Sequence, residues 1–303
     1  MGDPSSYLQR YADLIPEFDE FLESVRIKPP LHVRVNTLKS TPEAVSAYLE
    51  REGLAHPSEK WCPLLLKLEA SEKKVGTTLL HALGHIYIQS ASSAVSALAL
   101  GPKPGDRVLD LCAAPGSKTS FMAQMMESRG ALVANEPGGK RHIPLKANLR
   151  RVGAANIIIT GYSGQNFPMR DSFDKILVDA PCTGDGTWRG PDTRPREITE
   201  NDRKRMALRQ SQILERAINL LVPGGELTYS TCTYAPEENE LVLSPLMEKY
   251  GLASMELGIE IPASPGLTRW EGQALHPGLV NAARLYPHKF DSEGFFVIRL
   301  VKQ

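Results

Sequence analysis

The sequence predicts an α/β fold of the doubly wound class, preceded by a small α+β module. Three observations lead there. Beyond residue 100, short apolar runs alternate with helix-length stretches, the pattern of parallel strands covered by helices on both faces. Ahead of a break near residue 75, the pattern is instead that of half-buried strands around a single helix. The 303 residues are also enough to bury a substantial core in one large domain or two ordinary ones.

The module is expected over residues 1–75 and the larger domain over 76–303. Within the module, PPLHVRVNTLK alternates apolar and polar side chains from Leu31 to Leu38, as a half-buried strand does. STPEAVSAYLEREG follows as a helix, with Thr41 as N-cap, Pro42 in the first turn and Gly53 as terminator. WCPLLLKLEA offers a second strand, and Lys28, Arg34 and Lys39 give the module basic character. In the larger domain, strands are expected at 107–111, 131–135, 156–160, 174–179, 225–230 and 295–301, with helices near 117–128, 139–152, 203–221 and 237–249. Folds of this class bind their ligands at the carboxyl ends of the strands.

Composition excludes several alternatives. Lys+Arg and Asp+Glu both total 35, so attraction to nucleic acid must come from local patches rather than net charge. Cysteines 62, 112, 182 and 232 stand far apart without a C-x-x-C pair, which suits neither a zinc ribbon nor a disulfide framework. Free thiols in a reducing cytoplasm are the simpler reading. No long apolar run and no charged-then-apolar leader is present, so no membrane association or export is expected. The opening MGDPSS matches a loose myristoylation pattern, but with Pro4 close behind Gly2 and no polybasic stretch the match is read as accidental.

The first stretch with chemical content is RVLDLCAAPGSKTS. A strand runs into Asp110, a turn of small residues follows, and a helix begins near Ser117. Ala113, Ala114 and Gly116 allow close approach to the backbone, and the free N–H groups of the helix start suit a carboxylate or phosphate. The dinucleotide fingerprint is absent, because only Gly116 of its three glycines is present. The phosphate loop fails too, since Ser117 and Leu111 occupy its glycine positions. Glu136 stands at the tip of the next strand, 26 residues beyond Asp110, where a carboxylate can accept both hydroxyls of a ribose. The combination fits an adenosyl ligand with an amino-acid carboxylate, such as S-adenosyl-L-methionine.

Two more strands lead into VDAPCTGDG and TYSTCTYAP, which place Asp179 with Cys182 and then Cys232 at the same rim. Thiols at that rim suggest cytosine chemistry. Carbon 5 of cytosine accepts a methyl group only after a thiolate has added to carbon 6. A carboxyl group bonded to N3 and the exocyclic amine takes up the developing charge, a role suited to Asp179. A base must then remove the carbon 5 proton before the thiol leaves, a task open to the second cysteine or to a water it positions.

With LDLCAAPGSKT, VDAPCTGDGT and YSTCTYAPEENE in this order, the chain resembles the Sun-type (Fmu) RNA (cytosine-5) methyltransferases, and the likeness extends from PPLHVRVNTLKS to RLYPHKFDSEGFFVIRL. The resemblance implies Cys232 as nucleophile and Cys182 as the residue that assists release, the reverse of the related DNA enzymes. It also implies a Rossmann-like class I methyltransferase sheet and an N-terminal RNA-recognition-like module. For the donor it implies Cys112, Ala113, Ala114, Pro115, Gly116, Ser117 and Lys118 as the cofactor turn, with Glu136, Arg141 and Asp179 at further contact positions. Family members usually carry an aspartate after the third strand for the adenine, whereas TGYSGQNFP offers Ser163.

The expected substrate is a cytidine of structured RNA, unpaired or flipped out so that carbon 6 reaches the thiol. Ribosomal RNA is favoured over transfer RNA, with no DNA or membrane partner and a monomeric chain. Basic clusters at Lys140, Arg141, Lys146, Arg150 and Arg151 and in WRGPDTRPREITENDRKRMALRQ can neutralise phosphates, although a solvated helix face explains them equally. Trp188 is read either as a base-stacking platform or as a packed loop aromatic. Two competing functions are an exocyclic amino methyltransferase, which would carry D-P-P-Y or N-P-P-Y in place of DAPC, and an RNA-binding assembly factor that leaves its thiols unused.

Overall fold

The structure is a computed structural model, described here over residues 4–69, 72–168 and 173–303; Gly2 lies outside the described residues. Strand Leu31–Val35 pairs antiparallel with Cys62–Leu68 on one side and with Ile86–Ile88 on the other. Ser58–Glu59 extends the edge beyond Cys62–Leu68. The helix Pro42–Arg51 packs against this sheet through Val45 and Leu49. It starts as expected, with the Thr41 side chain accepting the Ala44 N–H at 3.3 Å. The sheet runs past residue 75, because Ile86–Ile88 takes its second edge.

The alternation expected at Leu31–Leu38 is real, but its polar side does not face water. His32 and Arg34 are both buried: His32 meets Glu59 of the same sheet at 2.9 Å, and Arg34 docks on the larger domain. The Arg34 guanidinium donates to Gln89 Oε1 at 2.6 Å, to the Ser117 carbonyl at 3.1 Å and to Ser120 Oγ at 2.8 Å. It lies over the rings of Tyr87 and Phe121. Lys39 is likewise engaged, on the carbonyls of Leu83 and Arg151. Arg34 therefore joins the small sheet to the larger domain and offers RNA no contact.

The helices ahead of the small sheet belong to the larger domain by packing. Leu8, Tyr11, Ile15, Phe21 and Val25 form one apolar cluster with Trp188, Tyr234 and Tyr286. Tyr11 Oη donates to Asp185 Oδ2 at 2.5 Å. Trp188 is thus a packed aromatic, edge-on to Tyr7, rather than a free stacking surface.

In the large sheet, Arg107–Asp110 lies between Ala131–Asn135 and Phe173–Asp179, with Ile157–Thr160 and Leu221–Thr231 outside them, all parallel. Phe295–Lys302 departs from the expected parallel pattern: it pairs antiparallel with Leu221–Thr231. Two short strands, Leu252–Met255 and Ala283–Leu285, pair antiparallel with it in turn. After the helix Glu240–Tyr250 no second crossover helix follows, so the chain re-enters the sheet from the opposite end. The helix Glu200–Leu220 is fixed at its start by a capping box between Thr199 and Asp202. The five parallel strands end at Asp110, Asn135, Thr160, Asp179 and Thr231, which form one rim. Among the described residues, no helix is long and apolar enough to cross a membrane.

Candidate active site

The rim is held together by a buried asparagine. Asn135 Nδ2 donates to the carbonyls of Leu111 and Tyr162, and its Oδ1 accepts from Thr160 Oγ1 and the Tyr162 N–H. The Leu111 and Thr160–Tyr162 turns are thereby tied to the side chain that ends the strand between them, and the bond to Leu111 is buried. The small-residue turn then reaches the helix Ser117–Met125 through Gly116, whose φ is +103°. A β-carbon there would lie 3.1 Å from Leu145 Cδ1, so both backbone conformation and space call for glycine.

Glu136 is only 3% exposed. Its Oε2 accepts the Ala114 N–H at 3.3 Å, and Arg141 lies 3.4 Å from Oε1 while also donating to the Ala114 carbonyl at 2.8 Å. The carboxylate is therefore fixed against the turn. On the far side of Arg107–Asp110, Asp179 Oδ2 is 2.7 Å from Lys118 Nζ, and its Oδ1 accepts from Ser230 Oγ at 2.8 Å. Asp110 sits beneath them, fully buried. Thr119 Oγ1 donates to one of its oxygens at 2.6 Å, and the other oxygen has no hydrogen-bond partner among the described residues. Burial, followed by the hydrogen bond from Thr119 and the charge of Asp179, leaves its carboxyl raised to about 7.

The two cysteines meet. Cys182 Sγ and Cys232 Sγ are 3.3 Å apart. The hydrogen bond with Cys232 and then burial push the Cys182 thiol well up from its ordinary value, so it stays protonated. Both cysteines border a cavity of about 270 Å³. Asp179, Cys182 and Cys232 line one side; Cys112, Ala114, Glu136 and Arg141 line the other; Arg209 and Ile213 border it from the helix Glu200–Leu220.

All three residues expected to act on the base are thus brought together, beside four of those expected to hold the donor. The others have different surroundings. Ala113, Pro115 and Gly116 shape the turn. Ser117 is bonded through its hydroxyl to Ser93 and through its carbonyl to Arg34, and Lys118 turns to Asp179. Gly164, rather than Ser163, borders the cavity. Small side chains, a fixed carboxylate at the strand tip and an arginine beside it form a donor set that suits a ribose diol and an adenosyl group.

Sequence reasoning passed over Arg209 and Ile213, although their i,i+4 spacing on an expected helix puts them on one face. It also gave no role to Glu238 and Asn239, both fully buried beneath the cysteines. Their signal was the unbroken polar run PEENE following a strand that enters the core.

Residues 97–301 match the family model described as "16S rRNA methyltransferase RsmB/F". The chain belongs to the RsmB/F family. Among named relatives of this RsmB/F chain, the human 28S rRNA (cytosine(4447)-C(5))-methyltransferase is 35% identical over 97% of the chain. Ribosomal RNA small subunit methyltransferase F of Vibrio vulnificus is 36% identical over 99%. The chain spans only 37% and 64% of those two proteins, respectively. Among solved structures, a methyltransferase homolog from Pyrococcus horikoshii is 34% identical with a TM-score of 0.87, covering 98% of this chain and 95% of that one. NSun6 from the same organism, solved with SFG, is 23% identical with a TM-score of 0.82 over 99% of this chain and 97% of its own, and so shares the fold.

Proposed function

We propose that this RsmB/F chain transfers a methyl group from S-adenosyl-L-methionine to carbon 5 of a cytidine in ribosomal RNA. The observation that carries the reading is the pair of thiols 3.3 Å apart beside the Asp179–Lys118 pair. Cytosine-5 chemistry needs a nucleophile for carbon 6, a group for the developing charge and a second group for release, and each has a candidate within one cavity. Ribosomal RNA is supported by the family description and by the printed names of the relatives. Four free cysteines support a reducing cytoplasmic setting, and the chain works as a monomer on a flipped or unpaired cytidine.

In this reading Cys112 and Ala114 would border the donor, Glu136 would take its ribose hydroxyls and Arg141 would stand beside it. S-adenosyl-L-methionine, when bound, supplies the electrophilic methyl group. Cys232 adds through sulfur to carbon 6, moving electron density to carbon 5. Asp179, fixed by Lys118 and Ser230, faces the N3 and amine edge. A water positioned by Cys182 takes the proton from carbon 5, and the Cys182 thiol, held protonated, donates a hydrogen bond to the Cys232 sulfur as that thiolate leaves carbon 6.

The test is covalent trapping. Cys182→Ala protein is mixed with S-adenosyl-L-methionine and either ribosomal or total transfer RNA, then run on a denaturing gel. A protein–RNA band with ribosomal RNA that vanishes in the Cys182→Ala/Cys232→Ala protein is the expected result. Methylation of either RNA by wild type without any trapped band would overturn the roles given to the cysteines.

A further inference from the structure

Beneath the two thiols, two consecutive buried residues each grip the neighbours of one cysteine. Glu238 Oε2 accepts the Thr183 N–H at 3.0 Å and Gln210 Nε2–H at 2.9 Å, and its Oε1 accepts the Thr183 hydroxyl. The same Gln210 nitrogen donates to the Pro181 carbonyl at 2.9 Å. Cys182 is therefore held from both flanks, through Pro181 and Thr183. Asn239 does the same for Cys232. Its Oδ1 accepts from Thr231 Oγ1 at 2.6 Å, and its Nδ2 donates to the Thr233 carbonyl at 3.0 Å. Thr183 Oγ1 and Thr233 Oγ1, 3.2 Å apart, close the frame between the two loops.

We propose that Glu238 and Asn239 act as a gauge that sets the separation of the Cys182 and Cys232 sulfurs. Being adjacent in the chain, they cannot move apart, so the two loops they hold cannot either. Both residues are fully buried and their bonds to the loops are specific in direction, whereas packing alone would be served by apolar side chains of similar volume. Neither residue lines the cavity bordered by the thiols, so both are positioning residues. The purpose of the gauge rests on the reading that both thiols serve one cytidine, one entering as the other assists release.

Phenylarsine oxide tests the geometry without RNA. It condenses with two thiols, forming two As–S bonds and releasing one water, and bridges them only when they are close. Wild type is expected to be bridged at Cys182 and Cys232, and Cys182→Ala is the control that loses this. In Glu238→Gln an NH₂ group replaces one acceptor and faces either the Thr183 and Gln210 N–H groups or the Thr183 hydroxyl; in Asn239→Asp a carboxylate oxygen faces the Thr233 carbonyl. Each variant is expected to weaken bridging about tenfold, the size of one lost buried hydrogen bond, while affinity for S-adenosylhomocysteine stays within about twofold of wild type. Thr183→Val removes one hydroxyl and is the milder variant should either of the others fail to fold; it is expected to weaken bridging about threefold.

With ribosomal RNA, the two variants should part ways. Glu238→Gln, which displaces Cys182, accumulates the covalent protein–RNA band; Asn239→Asp, which displaces Cys232, forms it slowly and does not accumulate it. Bridging unchanged in folded variants overturns the gauge. Bridging lost as expected, with no covalent band even from Cys182→Ala, leaves the gauge standing and places the failure in the reading of the thiol chemistry.

Discussion

Lys118 Nζ lies 2.7 Å from Asp179 Oδ2, and Ser230 Oγ lies 2.8 Å from the opposite oxygen. Burial disfavours the ammonium, but the charge of Asp179 and the hydrogen bond to it outweigh that cost, so Lys118 is held above its ordinary range. The pair orients a carboxylate at the rim where the base must sit.

Lys118→Met is expected to lower turnover about 100-fold, the scale of losing one preorganised electrostatic partner. Donor affinity by calorimetry should change little. Lost donor affinity with normal turnover at saturation would return Lys118 to the donor-binding role implied by the resemblance.

Alkylation should be selective. Burial pushes Cys62 and Cys112 up, and the hydrogen bond with Cys232 pushes Cys182 up, so these three thiols are slow to alkylate. Iodoacetamide at neutral pH is expected to modify Cys232 first, as read by peptide mass spectrometry. First modification at Cys182 would count against Cys232 as nucleophile.

Asp110 predicts a pH-dependent stability. Its carboxyl is raised from 3.8 to about 7 by burial, so the protonated form is the one folding favours. That contribution is complete below the ordinary value and is lost as pH rises through about 7. Asp110→Asn removes the dependence. Urea unfolding from about pH 5 to about pH 8 should show wild type losing about 2–3 kcal/mol relative to the variant; parallel curves would mean that Asp110 does not titrate in this window.

Glu240 and Arg284 form a buried pair in which Arg284 Nε donates to Glu240 Oε1 at 2.7 Å and Nη1 to the Tyr234 carbonyl at 2.9 Å. Glu240→Ala strands a buried guanidinium and should cost about 3–5 kcal/mol in urea unfolding. Glu200→Ala, which breaks a fully exposed i,i+4 pair with Lys204, should leave the midpoint nearly unchanged.

The rim was legible because strand-end chemistry is local. Asp179, Cys182 and Cys232 each stand at or just beyond the carboxyl end of a strand, and a parallel sheet brings such positions together whatever the loops do. The antiparallel final strand was not legible, since its direction depends on a connection rather than on its own residues. Arg34 was misplaced for a related reason: alternation reports two faces of a strand, and only the docking of the small sheet on Ser117 and Ser120 determines that both are buried. Glu238 and Asn239 were hidden in the same way. A polar run reads as surface until the loops it bonds are in place.

The aromatic cluster around Tyr11 and Phe21 also orders events in time. Its partners Tyr234 and Tyr286 emerge tens of seconds after the first helices at about 5–20 residues per second. Until then Leu8, Phe21 and Val25 lack much of the surface they cover. The Tyr11–Asp185 bond that braces the Cys182 loop joins residues 174 apart in the chain, so it forms only after a long stretch has been made.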